Sequence, residues 1–124
     1  MERLRPTLAV AGISLDCTDP RELADFYLRL LGGTLLWSSD DAAAVRTGTV
    51  VLIAQRVDDH RRPDWPGRSI VHLDLSSKDF DLAEQTTYAL ACGASRPAQQ
   101  PDPRWTVLLD PAGHPFCLTP FTPD

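Results

Sequence analysis

The chain has 124 residues, 43% of them hydrophobic and 23% charged, which is the composition of one globular domain. Its formal net charge of −5 gives no general attraction to nucleic-acid phosphates or to anionic lipid. We therefore expect neither a nucleic-acid partner nor membrane association, and we look for function in the spacing of particular residues.

The N-terminal segment and the cysteines bear on the cellular compartment. Residues 8–15 are mostly apolar and follow two arginines, as in a signal peptide, but the run is short and ends at Asp16, so a first β-strand explains it better. Cys17, Cys92 and Cys117 are odd in number and form no CxxC pair. Such a set favours reduced thiols, and we expect a cytoplasmic protein.

A first helix is predicted from about Asp19 to Leu31. Asp19 can cap it, Pro20 suits the first helical position, and Glu22 lies three residues beyond the cap. The residues at helical spacing form one apolar face: Leu23, Phe26, Tyr27, Leu30 and Leu31.

The other predicted elements follow from periodicity and turn residues. A second helix is expected over about residues 79–91, with an apolar face formed by Leu82, Ala83, Thr86 and Leu90. Strands are expected over residues 34–39, 42–47, 49–57, 94–99, 105–109 and 115–121. A tight turn is predicted at residues 110–113, where Pro presets φ and Gly tolerates a positive φ.

The order of these elements repeats. Residues 13–19 align with residues 73–79 at an offset of 60, and each segment leads into a helical pattern that ends at a Gly. A chance match of short apolar motifs is the alternative. The repeat predicts two βαβββ modules in a single domain, residues 1–124: module one about 7–57, a linker 58–68, and module two about 69–121.

Alternation along the strands separates an apolar face from a polar one. Leu15 and Cys17 point to one side of the first strand and Asp16 to the other, while His72 and Asp74 oppose the leucines of the repeated strand. Polar residues on a strand face are usually solvated. A half-open cleft lined by them is the functional alternative.

At this level of detail the sequence resembles a known family. The shared features are the βαβββ repeat, the Asp19-Pro20 helix start, the strand His72-Leu73-Asp74-Leu75, and the segment Asp110-Pro111-Ala112-Gly113-His114-Pro115-Phe116. They resemble the vicinal oxygen chelate superfamily, which includes glyoxalase I, bleomycin-resistance proteins and extradiol dioxygenases. The resemblance implies an α+β fold in which the two modules form a curled eight-stranded mixed sheet with helices on the outer face.

The resemblance also implies a test for metal. Metal-dependent members take ligands from the first and last strands of each module, and only His72 matches such a position here. Gly12 stands at the corresponding place in module one, Cys117 replaces a usual Glu, and Gln55 is the polar candidate in module one. We therefore expect no metal cofactor. A divalent ion in a shifted site of Asp16, His72 and Asp74 stays open.

Eight residues are candidates for ligand binding, because aromatic rings stack on planar ligands and polar groups orient them. They are Trp37, Gln55, Trp65, His72, Asp74, Trp105, Cys117 and Phe121. Each Trp could instead fill the core or a dimer interface. His72 is the best catalytic candidate, as a general base oriented by Asp74 or Asp16, and otherwise a hydrogen-bonded relic of a ligand position. Cys117 is either a nucleophile or a buried inert thiol.

The sequence thus predicts a metal-independent small-molecule-binding protein of the glyoxalase/bleomycin-resistance type. It would form a homodimer, as family members commonly do, and would hold a planar or amphipathic organic ligand in a cleft between the modules. One alternative is a divalent-metal-dependent lyase, isomerase or dioxygenase with an atypical site around His72. Another is an interaction module with a filled cleft. Whether the chain is an enzyme stays open at this point.

Overall fold

The computed structural model describes residues 9–67 and 71–120. Its elements are β1 (Ile13–Cys17), α1 (Pro20–Leu31), β2 (Thr34–Ser38), β3 (Ala42–Thr47), β4 (Val50–Arg56), β5 (Leu73–Leu75), α2 (Leu82–Cys92), β6 (Thr106–Leu109) and β7 (Pro115–Leu118). The predicted α+β class is confirmed. Neither helix in the described parts of the chain has the length and apolarity needed to cross a membrane.

The strands form two sheets with the same internal order. The four-stranded sheet runs β1-β4-β3-β2 and the three-stranded sheet runs β5-β7-β6. In each sheet the first strand pairs in parallel with the last strand of its set, β1 with β4 and β5 with β7. An isolated bridge between Ser95 and Leu109 occupies the place that β2 occupies in the four-stranded sheet.

The predicted strand over residues 94–99 is therefore wrong, and the single eight-stranded sheet is not confirmed: the described residues form seven strands in two sheets. Pro97 has no N–H to donate to a ladder. The side-chain amide of Gln100 takes the place of a neighbouring strand, donating to the Val107 carbonyl at 2.9 Å and accepting from the Val107 N–H at 2.9 Å.

The start of α1 agrees with its sequence signals. The Asp19 carboxylate accepts from the backbone N–H groups of Arg21 and Glu22 at 3.1 and 3.2 Å, and Pro20 opens the helix. After the helix, Gly33 has a φ of 122°, and a Cβ there would lie 2.0 Å from the Arg46 carbonyl oxygen. Only glycine allows β2 to start this close to β3.

The second helix begins at Leu82, three residues later than predicted. Asp81 is its N-cap, and the carboxylates of Asp81 and Glu84 accept from each other's backbone N–H groups at 2.8 and 3.0 Å. The Ser77 hydroxyl accepts from the N–H groups of Asp79 and Phe80, which holds the segment before the helix in a turn.

The apolar face predicted for α2 is partly wrong. Thr86 is buried and Leu82 packs against the core, but Ala83 and Leu90 are exposed. The residues that α2 buries are Thr86, Ala89 and Cys92.

Both sheets pack one face against a shared core that contains the helices. Phe26 of α1 contacts Tyr27 edge-on and lies 6.0 Å from the Phe116 ring of the three-stranded sheet. Arg29 of α1 donates to the Cys92 carbonyl of α2 at 2.9 and 3.1 Å. We call the opposite face of each sheet its open face.

Candidate functional site

Four of the predicted site residues lie in a connected row on the open face of the three-stranded sheet. The rings of Trp65 and His72 lie 5.7 Å apart, edge to face. His72 directly precedes β5 and is exposed, Asp74 lies two residues further on, and Asp74 pairs with Cys117 across the ladder. Trp65 also donates from Nε1 to the Gln99 carbonyl at 2.9 Å.

The thiols of Cys17 and Cys117 are poor nucleophiles. Burial raises the pKa of Cys117, and the charge and hydrogen bond of Asp74 raise it further. Burial, with smaller contributions from nearby carboxylates, raises the pKa of Cys17 to about 11. Both thiols therefore stay protonated near neutral pH, which favours the inert interpretation of Cys117 over the nucleophilic one.

The remaining predicted residues lie elsewhere. Trp37 is half-exposed on β2, and Gln55 pairs with Asp16 on the open face of the four-stranded sheet. Trp105 lies just before β6 with the Arg104 guanidinium 5.4 Å from its ring centre. Phe121 lies outside the described residues. The structure thus divides the predicted set between the open faces of the two sheets.

The donor groups do not fit a divalent ion such as Mn²⁺, which prefers oxygen and imidazole ligands. The family positions on the three-stranded sheet offer one imidazole, His72, and one protonated thiol, Cys117. Gly12 has no donor, and a Cβ there would already lie 3.1 Å from Ile53 Cδ1. Within residues 9–67 and 71–120 no three His, Cys, Asp or Glu side chains come close enough to share a metal, the shifted set around His72 included.

A different site opens between the two modules on the helix side. It is a cavity of about 400 Å³, a volume typical of small-molecule sites. The lining comes from the end of α1, from α2 and the segment before it, and from the ends of β5 and β7: Leu30, Leu31, Leu75, Ser76, Ser77, Phe80, Glu84, Gln85, Tyr88 and Leu118. We call it the interhelical cavity.

The hydrogen bonds between the two helices lie at the C-terminal half of α2. Tyr88 donates its hydroxyl to the Arg29 carbonyl, and Arg29 donates to the Cys92 carbonyl in the last turn of α2, so this end is closed. Toward its start α2 makes no hydrogen bond with α1 among the described residues, and Phe80 is 57% exposed. Leu31 of α1 and Tyr88 of α2 are also exposed apolar groups at this site.

Sequence reasoning missed this cavity. None of the seven predicted ligand-binding residues that the structure describes lines it. A signal was present in Leu30 and Leu31, since they extend the apolar stripe of α1 past the residues that the sheet covers. Phe80 is the second signal. It was missed because the helix start predicted near residue 79 placed Phe80 inside a helix and not on a loop over the opening of the cavity.

A buried network ties the modules together next to these sites. The Asp110 carboxylate accepts from the Tyr27 hydroxyl at 2.7 Å and from the N–H groups of Ala112 and His114 at 2.9 Å. Burial raises the pKa of Asp110 and the hydrogen bond from Tyr27 opposes that shift, while the pKa of Tyr27 is raised well above its ordinary value, by burial first. The hydroxyl stays protonated, so it acts as a donor that joins α1 to the turn before β7.

Solved structures share the fold. A fosfomycin resistance protein, FosX, from Listeria monocytogenes, whose variant was solved with Mn(II) and 1S,2S-dihydroxypropylphosphonic acid, is 16% identical with a TM-score of 0.71, over 94% of this chain and 93% of that one. FosX from Mesorhizobium loti is 14% identical with a TM-score of 0.70, over 94% of each chain. A hypothetical protein from S. aureus is 14% identical with a TM-score of 0.66, over 94% of this chain and 96% of that one.

No curated protein matches the sequence. The structural likenesses, all at low identity, establish the fold and leave the chemistry to the residues of this chain. The family of the glyoxalase-like domain matches residues 12–119, which is most of the sequence. The chain therefore belongs to the glyoxalase-like domain family.

Proposed function

We propose that this chain is a metal-independent small-molecule-binding protein of the glyoxalase/bleomycin-resistance type, and that its ligand occupies the interhelical cavity. The ligand would be an amphipathic organic molecule, with its apolar body among the leucines of α1, β5 and β7. The proposed setting is the cytoplasm, in keeping with three free cysteines. The proposed division of the single domain stays at module one, about 7–57, and module two, about 69–121.

The observation that carries the proposal is the apolar lining of a cavity of this size. Leu30, Leu31, Leu75 and Leu118 line about 400 Å³ together with two aromatic side chains. Water in such a space makes few hydrogen bonds, so an apolar ligand that displaces it gains free energy in proportion to the area covered. The hydroxyl and amide groups of Ser76 and Gln85 lie among the lining and can orient a polar end.

Metal independence rests on the chemistry of the donors. The family positions hold a glycine, an exposed imidazole and a protonated thiol, and the interhelical cavity is lined by a single carboxylate, that of Glu84. We expect ligand affinity to be the same with and without a chelator. This expectation separates the proposal from the metal-dependent lyase, isomerase or dioxygenase around His72.

The test is a titration with Nile red, a neutral dye whose fluorescence increases in apolar surroundings. We expect saturable binding to the native protein with an unchanged dissociation constant in EDTA. Ser76→Phe would fill the opening of the cavity and should weaken binding roughly tenfold or more, about 1.4 kcal/mol. Ser14→Phe is the matched control, because Ser14 is an exposed serine on the open face of the four-stranded sheet.

The outcomes are distinct. Weaker binding in Ser76→Phe with native affinity in Ser14→Phe supports the proposal. Equal binding by all three proteins would place the dye elsewhere and contradict it. Loss of binding in EDTA, restored by Mn²⁺ or Zn²⁺, would contradict metal independence and favour the alternative around His72.

We also propose that the chain forms a homodimer through the open faces of its sheets. Trp37 is half-exposed on the open face of the four-stranded sheet. Large apolar side chains left in water at such places favour association. Light scattering after size-exclusion chromatography should give a mass near 27 kDa, twice the 13.7 kDa of the chain. A mass of one chain at micromolar concentration would contradict the dimer.

A further inference from the structure

We infer that the interhelical cavity selects organic cations, that is, molecules with an apolar body and a protonated amine or quaternary ammonium group. The inference rests on the proposed function and adds the charge of the ligand. Three features support it: one carboxylate without a cationic neighbour in the lining, aromatic rings on both sides of that carboxylate in the sequence, and backbone N–H groups near the start of α2 that are already bound to the chain's own oxygens.

Glu84 provides the negative charge. One of its carboxylate oxygens accepts from the Asp81 N–H at 3.0 Å, and Glu84 supplies the one carboxylate in a lining that also contains leucines and aromatic rings. Of the described residues that line the cavity, none is Lys, Arg or His. The Arg29 guanidinium, the nearest cation of α1, is bound to the Cys92 carbonyl at the other end of α2. An ammonium group in the cavity would therefore meet one carboxylate and no competing cation of the lining.

The aromatic rings of Phe80 and Tyr88 supply a second attraction for a cation. Residues 80, 84 and 88 are spaced by four, and all three line the cavity. Glu84 and Tyr88 lie four apart on α2 and therefore on the same side of the helix, while Phe80 lies on the segment just before α2. The face of an aromatic ring attracts ammonium groups electrostatically, and more strongly where water is excluded.

An anion would find few donors here, although a helix N-terminus is usually a favourable place for one. The N–H of Glu84 is bound to the Asp81 carboxylate, and the N–H of Asp81 is bound to Glu84. The N–H groups of Asp79 and Phe80 are bound to the Ser77 hydroxyl. The chain's own oxygens thus occupy these four N–H groups, and none of the described lining residues carries a positive charge for an anion such as the phosphonate in the Listeria FosX structure.

The test uses three probes of one shape and different charge: 4-phenylbutylamine, 4-phenylbutanol and 4-phenylbutyrate. Their dissociation constants are measured by isothermal titration calorimetry at pH 7 and low salt. We expect the amine to bind roughly fivefold more tightly than the alcohol, and the butyrate to bind most weakly. Added salt should reduce the preference for the amine, because screening weakens the attraction of partly exposed charges.

Glu84→Gln removes the charge and keeps the fold. Glutamine at this position can still accept from the Asp81 N–H, so the cap of α2 survives. The variant should bind the amine about as weakly as the alcohol, with the alcohol's own affinity unchanged. Glu22→Gln is the control: it makes the same change of net charge in the first turn of α1, outside the interhelical cavity. It should keep the native preference for the amine.

Each outcome decides one point. A preference for the amine that Glu84→Gln abolishes and Glu22→Gln retains supports the inference. Binding of all three probes with similar constants, or a preference for the butyrate, overturns the cation selectivity and leaves the cavity as a binding site. If none of the probes binds and Nile red does not bind either, the proposed function fails as well.

Discussion

The two modules reach the same strand order by different means, and the difference explains where the space for a ligand lies. In module one, β2 covers the edge of β3 with a full strand, and α1 buries Leu23, Ala24, Phe26 and Tyr27. In module two, the corresponding strand is reduced to the bridge at Ser95, and α2 buries only three residues. The looser packing of α2 leaves the interhelical cavity on its side of the core.

This contrast indicates a division of roles. Module one supplies most of the large buried side chains, while module two supplies most of the cavity lining and the polar row of His72, Asp74 and Cys117. Segments with few buried apolar contacts open at low free-energy cost, and binding sites are often drawn from them. Substitutions at three places test this contrast: at the contact between the modules, at the edge of β6, and on the open face of the three-stranded sheet.

The largest expected effect follows from breaking the junction between the modules. Asp110→Ala would leave the Tyr27 hydroxyl and the N–H groups of Ala112 and His114 without their acceptor in a buried place. We expect a loss of about 3 kcal/mol in the free energy of unfolding, measured by urea denaturation. Asp110→Asn retains an acceptor for both N–H groups and should lose clearly less. Equal losses in both variants would mean that the hydrogen bonds are not the cause.

The next effect concerns the edge of β6. Gln100→Ala would remove both hydrogen bonds that the side-chain amide makes with Val107, a residue with no exposed surface. Unfolding should become easier by about 2 kcal/mol, because a buried donor and acceptor lose their partners. Gln99→Ala, at the neighbouring exposed position, should change stability little. If both variants unfold like the native protein, the amide does not replace a strand.

The smallest effect concerns the Cys117 thiol on the open face. Asp74→Asn removes the carboxylate charge that helps to hold the pKa of Cys117 above its ordinary value, while burial remains. The pKa should therefore fall part of the way, and alkylation by iodoacetamide should reach its half-maximal rate at a lower pH. Peptide mass spectrometry gives this profile for each cysteine. Asp16→Asn, on the other sheet, should leave the Cys117 profile unchanged, and a shift there would exclude a local effect of Asp74.

Local signals predicted much of the fold. The start of α1 was predictable because Asp19, Pro20 and Glu22 act within one turn of chain. The start of α2 was harder, since Asp79 and Asp81 are both plausible caps and the choice depends on the Ser77 turn and on Glu84. The missing strand could not be read from the sequence, because a glutamine side chain five residues beyond Ser95 replaces it.

The candidate site was less predictable than the fold. Alternation correctly placed His72, Asp74 and Cys117 on one face, because that property is local to each strand. It could not tell how the open faces of the two sheets lie relative to each other, because that depends on how both sheets pack against the helices. The interhelical cavity depends on the separation of α1 and α2, a distance between parts of the chain about 50 residues apart. No local pattern encodes it.

The central claim is that ligand binds in the interhelical cavity, and backbone amide NMR tests it most directly. The protein is labelled with ¹⁵N and titrated with 4-phenylbutylamine. We expect the largest changes in amide chemical shift at residues 30–31, 75–77 and 80–88, with little change at His72, Asp74 and Gln55. Changes concentrated at His72, Asp74 and Cys117, with residues 80–88 unaffected, would contradict it and move the ligand to the open face.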